Sequence, residues 1–197
     1  MDDDRRAAQE ATIRQAAERG ELAAAATAAL QAYGGELLNY LRATAGHDDL
    51  AHEAFAELGE DLWRGLPSFR WQSSLRSWLY TLARNALGQL RRDPRRRLDR
   101  NVPLSIAPDV EAVVRTLTLA IQRTDIKDEF RALREQLSPE EHELLLLRLE
   151  RQLSWREIAA ILGAGQDVAA QAATLRKRFE RTKARLRELA IARGLIP

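Results

Sequence analysis

Arginine and aromatic side chains are concentrated between Trp63 and Arg92, in a pattern that suits unpaired nucleic acid. Aromatic rings can stack on bases that have left a duplex, and guanidinium groups can follow the phosphates. The candidate side chains are Phe69, Arg70, Trp71, Arg76, Tyr80, Arg84, Asn85, Arg91 and Arg92. Trp78 falls on the apolar face of the same segment and is expected in the core. For Phe69 and Trp71, base stacking and simple loop packing both remain open.

A second group of polar and basic side chains lies near the carboxyl end of the chain. Its members are Thr174, Arg176, Lys177, Arg178 and Arg181. Arginine and lysine can donate to guanine O6 and N7, threonine can touch a thymine methyl, and several cations can bind phosphates. A short capped helix and a turn containing Gly163 precede this group, so we predict a helix-turn-helix. An ordinary helical hairpin is the alternative.

Carboxylates recur every four residues in another segment, at Asp49, Glu53, Glu57 and Asp61. Like charges at this spacing repel one another on a helix, by roughly 0.2 to 0.5 kcal/mol per pair. A basic partner would offset that repulsion. We therefore interpret the acidic face as a protein-binding surface.

Nothing in the sequence indicates catalysis, a metal or a cofactor. The three histidines, His47, His52 and His142, form no pair at the four-residue spacing of a helical zinc site, and no glycine-rich phosphate loop is present. The absence of cysteine removes disulfides and thiolate metal sites from consideration. The first residues carry three aspartates, and no apolar run approaches the ~20 residues that span a bilayer. We expect a cytoplasmic protein without membrane insertion.

Charge alternates along the chain although the net charge is only +2. Residues 1–62 carry a net −8 and residues 63–100 a net +8, while residues 101–150 carry −4 and residues 151–197 carry +6. Two basic blocks on separate stretches, each preceded by an acidic one, indicate two nucleic-acid contacts on surfaces that also meet protein. A solvated basic face is the simpler reading of either block alone.

The segments that contain these candidate residues are mostly predicted to be helices. The chain is rich in Ala, Leu, Glu and Arg and shows no sustained β-branched alternation, so we predict an all-α protein of two small helical domains. One apolar stripe runs over 22–41, where Gly34 and Gly35 could bend or break the helix. Asp48 or Asp49 can cap the next helix. The clearest period covers 75–92 and stops at Asp93-Pro94.

In the second half of the chain, two predicted helices begin with the same capping motif. Ser138 and Ser154 each stand three residues before a glutamate, the pattern of a capping box. The second of these helices closes at Leu162-Gly163. A final helix of roughly 25 residues begins near Asp167. Its predicted buried seam is Val168, Ala172, Leu175, Phe179, Thr182, Leu186 and Leu189.

Two of these segments resemble the sigma-70 superfamily of bacterial RNA polymerase sigma factors. The stretch Asp49-Leu50-Ala51-His52-Glu53-Ala54-Phe55, the Phe69 loop and the run from Leu75 to Asn85 are similar to region 2. The stretch from Leu137 through Ser154-Trp155-Arg156-Glu157-Ile158-Ala159 to Phe179 resembles region 4. The short linker is similar to that of the extracytoplasmic-function group. On this basis we divide the chain into an extension (1–20), region 2 (21–97), a linker (98–124) and region 4 (125–197).

The resemblance implies a promoter-recognition protein that catalyses nothing itself. Asp49, His52, Glu53 and Glu57 would bind core RNA polymerase. The Phe69 loop and the helix after it would hold the opened minus-ten element, and the final helix would read the minus-thirty-five element. An anti-sigma factor is the implied regulator. The alternatives are a helix-turn-helix regulator unrelated to sigma factors and a decoy that binds an anti-sigma factor.

This sequence departs from the family pattern at two points. His52 stands where the family usually has glutamine. Ala164 to Ala172 add about six residues before the basic helix, which they could prolong at its start. For residues 1–20 we predict no defined element.

Overall fold

The computed structural model describes residues 2–93, 136–163 and 167–192. The chain divides into two compact units, residues 1–124 and 125–197. Every regular element of the described residues is helical, which confirms the all-α class. The predicted linker at 98–124 and the first residues of the insertion, 164–166, lie outside the described residues.

Four α-helices and one short turn build the described part of the first unit. They are α1 (Asp2–Glu18), α2 (Leu22–Ala45), α3 (Asp48–Gly65), a 3-10 turn (Leu66–Ser68) and α4 (Leu75–Arg92). Helix α2 packs against α1, α3 and α4, and α3 packs against α4. The bounds of α4 agree with the predicted period. Fully buried leucines of α2, α3 and α4 form the centre of this core, including Leu37, Leu58 and Leu79.

Helix α1 occupies most of the segment for which the sequence predicted no structure. It buries Ile13 and Ala16 against the unit and packs along α2. Gly20 has a φ of +79°, a left-handed conformation that glycine adopts without strain, and it lies in the tight connection to α2. Helix α1 therefore contributes to the first core through Ile13 and Ala16.

Helix α2 runs unbroken through Gly34 and Gly35, where a bend or break was considered. A glycine pair weakens a helix by roughly 0.5 to 1 kcal/mol per residue, but α2 is packed on three other helices, and this burial outweighs the local preference. Gly34 is itself buried. The helix ends at Gly46, which is left-handed with a φ of +88°.

The start of α3 differs from the prediction. The residue at its N-cap is His47, which makes no side-chain capping bond, so the expectation that Asp48 or Asp49 caps this helix was wrong. Asp48 lies in the first turn, and its carboxylate accepts from Nε and Nη2 of Arg42 at 2.9 and 3.0 Å. Both carboxylate oxygens of Asp48 are thus engaged in a bidentate charge-assisted pair with Arg42 and not with the backbone N–H groups of the helix start. The turn at Gly46 brings the two residues together.

The described part of the second unit holds three α-helices and one π-helical segment. They are α5 (Pro139–Leu145), the π-helical segment (Leu146–Glu150), α6 (Trp155–Leu162) and α7 (Val168–Ala192). Helix α7 packs against α6 and α5. Both predicted capping boxes are present, with Ser138 and Glu141 at α5 and Ser154 and Glu157 at α6.

Helix α7 includes the end of the inserted segment, as predicted. A carboxylate oxygen of Asp167 accepts from the backbone N–H of Ala169 at 2.9 Å and so caps the helix start. Leu175, Phe179 and Thr182 of the predicted seam are buried. Val168 was also placed in the seam, wrongly, because its side chain is 40% exposed two turns before the first buried position. No described helix is long and apolar enough to span a membrane.

Candidate nucleic-acid and polymerase interfaces

The loop between the 3-10 turn and α4 is organised by aromatic contacts. The Phe69 ring stacks on Trp78 with centroids 4.4 Å apart and an interplanar angle of 15°, and it meets Trp71 at 4.9 Å. A Cβ at Gly65 would lie 3.0 Å from the Trp78 ring, so a larger residue there would require the ring to move by a few tenths of an ångström. Trp78 was expected in the core, but its side chain is only half-buried, and Phe69 of the loop covers one face of its ring. Arg70 is exposed.

Trp71 adopts a left-handed backbone conformation, with a φ of +56°. This conformation is uncommon for a bulky residue and is held only where the surroundings determine it. Two contacts hold the Trp71 ring, Phe69 on the loop and the Arg14 guanidinium of α1, whose carbon lies 5.7 Å from the ring centroid. The side chain remains half-buried, so part of it faces solvent.

Arg76 and Tyr80 lie inside the first unit, on the network of Glu36. The guanidinium Nε of Arg76 donates to both Glu36 carboxylate oxygens, at 3.1 and 3.2 Å, and Nη2 also donates to Oε1. The Tyr80 hydroxyl donates to Glu36 Oε1 at 2.7 Å. Arg76 is 8% exposed and Tyr80 is fully buried. Both residues were predicted to contact DNA, and the structure places them beneath the surface.

A carboxylate of α1 satisfies the first backbone donors of α4. Glu10 Oε2 accepts from the N–H of Leu75 and Glu10 Oε1 from the N–H of Arg76, both at 3.0 Å. The Tyr33 hydroxyl donates to Glu10 Oε1 at 3.0 Å. A negative charge here also complements the positive end of the α4 dipole. Burial and the neighbouring Glu10 charge raise the pKa of Tyr33. Sequence reasoning missed Glu10, because its backbone partners lie 65 and 66 residues away.

The other predicted side chains of α4 are accessible to different degrees. Arg84 is half-buried, whereas Asn85, Arg91 and Arg92 are exposed. Arg91 donates from Nη2 to the backbone carbonyl of Thr44, which ties the end of α4 to the end of α2. The accessible basic and amide groups of this helix therefore lie in its second half.

The acidic side chains of α3 do not form one exposed stripe. Asp49 is exposed, His52, Glu53 and Asp61 are half-buried, and Glu57 is only 7% exposed. Residues four apart on an α-helix are rotated by about 40° relative to one another. Glu57, two such steps after Asp49, is therefore rotated by about 80° from it and lies toward the core.

Trp155, the first residue of α6, contacts side chains of two other elements of the second unit, α7 and the π-helical segment. Its ring meets Phe179 of α7 edge-on, with centroids 5.3 Å apart. The guanidinium carbons of Arg148 and Arg176 lie 5.0 and 5.8 Å from the Trp155 ring centroid. Trp155 thus lies between side chains of the π-helical segment and of α7.

The remaining predicted residues of α7 lie on its solvent side. Thr174, Lys177 and Arg181 are exposed, and the Thr174 hydroxyl donates to the backbone carbonyl one turn earlier at 3.1 Å. Arg178 is half-buried and faces Glu140 at 3.9 Å. The polar set opposite the buried seam is therefore accessible, apart from Arg178. No group of three metal-ligating side chains occurs among the residues that the structure describes.

Comparison with known proteins gives one family match, to part of the first unit, and one similar protein. Residues 29–97 match the family described as Sigma-70 region 2. The chain is 30% identical over 132 residues to the RNA polymerase sigma factor YlaC of Bacillus subtilis (strain 168), a match that covers 65% of this chain and 73% of that protein. No solved structure matches the chain.

Proposed function

This chain belongs to the sigma-70 family, in its extracytoplasmic-function group, and we propose from this premise that it binds core RNA polymerase and directs it to specific promoters. A sigma factor's part in transcription initiation follows from the family membership. The proposed activity takes place in the cytoplasm, and an anti-sigma factor is the proposed regulator.

The match of residues 29–97 to region 2 carries the proposal. That segment contains α3 with its acidic side chains, the aromatic loop and the whole of α4. The acidic side chains of α3 are suited to binding a basic protein surface, and the loop and α4 are suited to binding unpaired DNA.

For the minus-ten element, we assign contact to the loop and the accessible side chains of α4. Phe69 and Trp71 would stack on flipped or unpaired bases, while Arg70, Arg91 and Arg92 would bind phosphates. Arg84 and Asn85 would complete this surface. Arg76 and Tyr80 are assigned a positioning role through Glu36, because their burial leaves no room for a nucleotide contact.

The loop assignment is tested by Phe69→Ala and Trp71→Ala in reconstituted holoenzyme, with promoter opening followed by permanganate reactivity of the minus-ten thymines. Loss of one base stack costs roughly 1 to 3 kcal/mol, so we expect opening to fall at least several-fold. Trp63→Ala, which removes a half-buried tryptophan outside the loop, is the control. Opening that falls no further in the loop variants than in this control would make the loop structural only.

Core polymerase binding is assigned to the outer edge of α3. Asp49 and Glu53 would make the direct contacts together with His52, while the buried Glu57 would support the helix beneath them. Reversing charge in Asp49→Lys and Glu53→Lys should weaken core binding in a titration. Glu18→Lys, the same charge change at an exposed position of α1, is the control. Equal core affinity for all three variants and wild type would refute this assignment.

The minus-thirty-five element is assigned to the exposed face of α7. Lys177 and Thr174 would face base edges, and Arg176, Arg178 and Arg181 would bind phosphates. We expect Lys177→Ala to relax sequence preference and Arg181→Ala to weaken binding to every sequence alike. Selection from randomised minus-thirty-five sequences with each holoenzyme measures both effects, and identical selected sequences would contradict the base-reading role.

The same reagents separate two other functions. A helix-turn-helix regulator outside the sigma mechanism would bind duplex DNA but not core polymerase. A decoy would bind an anti-sigma factor and support no promoter-dependent RNA synthesis.

A further inference from the structure

Helix α1 contacts both the aromatic loop (residues 69–74) and the start of the helix that follows it. The Arg14 guanidinium carbon lies 5.7 Å from the Trp71 ring centroid, within the range of a cation–π contact. One turn earlier, the Glu10 carboxylate accepts from the first two backbone N–H groups of α4. Residues four apart lie on the same face of a helix, so one face of α1 runs along the loop. This helix lies before the segment 29–97 that matches region 2.

The two contacts of the Trp71 ring differ in how firmly they are held. Phe69 is itself stacked on Trp78, with centroids 4.4 Å apart, so it is fixed to α4. The Arg14 side chain is 53% exposed, and among the described residues its other polar contact is a hydrogen bond from Nε to Glu18 at 2.8 Å. An exposed ion pair of this kind contributes little to stability. The contact of Arg14 with the ring is therefore the adjustable one of the two.

The backbone of Trp71 explains why its ring needs both contacts. Its φ of +56° is a conformation that a bulky residue rarely adopts and that the surroundings must stabilise. The next two residues, Gln72 and Ser73, are exposed. A ring held by two contacts loses much of its preferred orientation when one of them is removed. It then offers its stacking face to a base only part of the time, and the apparent affinity falls by that fraction.

We propose that Arg14 is a positioning residue, which holds the Trp71 ring in the orientation in which the ring stacks on one unpaired base of the minus-ten element. The proposal rests on the assignment of the aromatic loop to that element. Arg14 acts through the ring and binds no phosphate in this role. Helix α1, for which the sequence predicted no defined element, is thereby part of promoter opening.

The test is the affinity of reconstituted holoenzyme for a promoter fork whose minus-ten region is single-stranded. An exposed cation–π contact corresponds to about a two- to five-fold change in an equilibrium constant, and we expect Arg14→Ala to weaken binding by about that factor. Arg14→Lys, whose ammonium can also lie over the ring, should recover part of the loss.

Arg5→Ala is the matched control for the loss of charge. It removes another exposed arginine of α1, nine residues away and therefore on the opposite side of the helix. This variant should bind the fork as wild type does. Equal weakening in Arg5→Ala and Arg14→Ala would mean that the charge of α1 acts on the DNA without the ring, and it would overturn the proposal.

Forks that lack a single base separate positioning of the ring from a general loss of stability. At the position that the ring holds, wild type, Arg14→Ala and Trp71→Ala should bind the abasic fork equally. Adding Arg14→Ala to Trp71→Ala should likewise weaken binding no further on the intact fork, because the two residues act as one unit. Arg14 has only a structural role if its removal weakens every abasic fork and adds its full effect to Trp71→Ala.

The salt dependence of binding separates positioning from a direct phosphate contact. Losing one phosphate contact lowers the slope of log K against log salt by about 0.7 on single-stranded DNA. Arg14→Ala should keep the slope of wild type, and a slope lower by one contact would contradict the positioning role. If Phe69→Ala and Trp71→Ala bind the fork as wild type does, the assignment of the loop fails and the role of Arg14 with it. If they weaken binding and Arg14→Ala does not, only the role of Arg14 fails.

Discussion

Glu10 shows how one carboxylate can join three helices. It accepts backbone hydrogen bonds at the start of α4 and a hydroxyl hydrogen bond from Tyr33 of α2, while its own backbone belongs to α1. The α4 start is thus stabilised from outside as well as by its local cap, Ser74, whose hydroxyl accepts from the N–H of Ser77 at 3.1 Å. The aromatic loop ends at that cap, so Glu10 also fixes one end of the loop.

Replacing Glu10 by glutamine should destabilise the first unit. The amide keeps the size of the side chain but has one acceptor oxygen instead of two and no charge, so one of the α4 donors loses its partner. Leaving such a group unsatisfied costs about 1 to 3 kcal/mol. Urea unfolding of wild type and Glu10→Gln measures this loss. Glu18→Gln, at an exposed position of the same helix, should change stability by less than about 0.5 kcal/mol; equal effects of the two variants would show that Glu10 makes no special contribution.

Tyr33 gives the first unit a dependence on alkaline pH. Its pKa is raised in the folded state by burial and by Glu10, so folding favours the neutral phenol. This contribution is fully present below the ordinary tyrosine pKa of about 10 and is lost as pH rises above it. Tyr33→Phe should therefore be less stable than wild type at pH 8, because it loses the Glu10 hydrogen bond. The difference should narrow above a pH of about 10, and a constant difference measured by urea unfolding across this range would be contrary to the expectation.

At the scale of single residues, the sequence predicted correctly which segments are loops or solvent-facing, but it did not predict which side chains another helix covers. It put Phe69 and Trp71 on a loop and Thr174 and Lys177 on a solvent face, as observed. It also put Arg76 on a wet face, whereas that residue is buried against Glu36. Periodicity gives the direction of a side chain from its own helix, but the partner that covers it comes from a helix 40 residues away.

Among the elements, those with complete local signals were predicted closely. The period of α4 and the capping boxes of α5 and α6 were read from the residues they contain. The errors occurred where tertiary contacts decide. Gly34 and Gly35 remain helical because α2 is packed on several sides, and Asp48 pairs with Arg42 instead of capping α3.

Gly163 joins α6 to the segment before α7, and a side chain there should weaken the packing of the two helices. A Cβ would lie 2.5 Å from both the Ala159 carbonyl oxygen and Gln171 Oε1. Forcing extra volume into a packed site costs typically about 1 to 3 kcal/mol, which we expect for Gly163→Ala in thermal or urea unfolding. Gly35→Ala is the matched control, since no atom lies within 4 Å of its Cβ. That change should stabilise the protein by about 0.5 to 1 kcal/mol, and similar effects of both alanines would disprove the steric explanation.

At the scale of the whole molecule, the division into two compact units predicts how the chain unfolds. Each unit has its own core, so a single cooperative transition is not expected. Calorimetry should resolve two transitions, of which Glu10→Gln lowers one and Gly163→Ala the other. In the double variant each transition should keep the shift of its own single variant, because distant sites act independently to within about 0.5 kcal/mol. One transition lowered by both changes would mean that the units fold as one.

The π-helical segment before α6 makes the second unit sensitive to the number of residues it contains. Arg151 donates to Leu146, five positions earlier, which is one residue more than an α-helical turn accommodates. Deleting Leu149, whose side chain is 57% exposed, would bring the same donor and acceptor to α-helical spacing. Every residue after the deletion would then turn by about 100° relative to α5, and Trp155 would leave Arg148. This segment can therefore accept exchanges of side chain at Leu149 but not the loss of a codon.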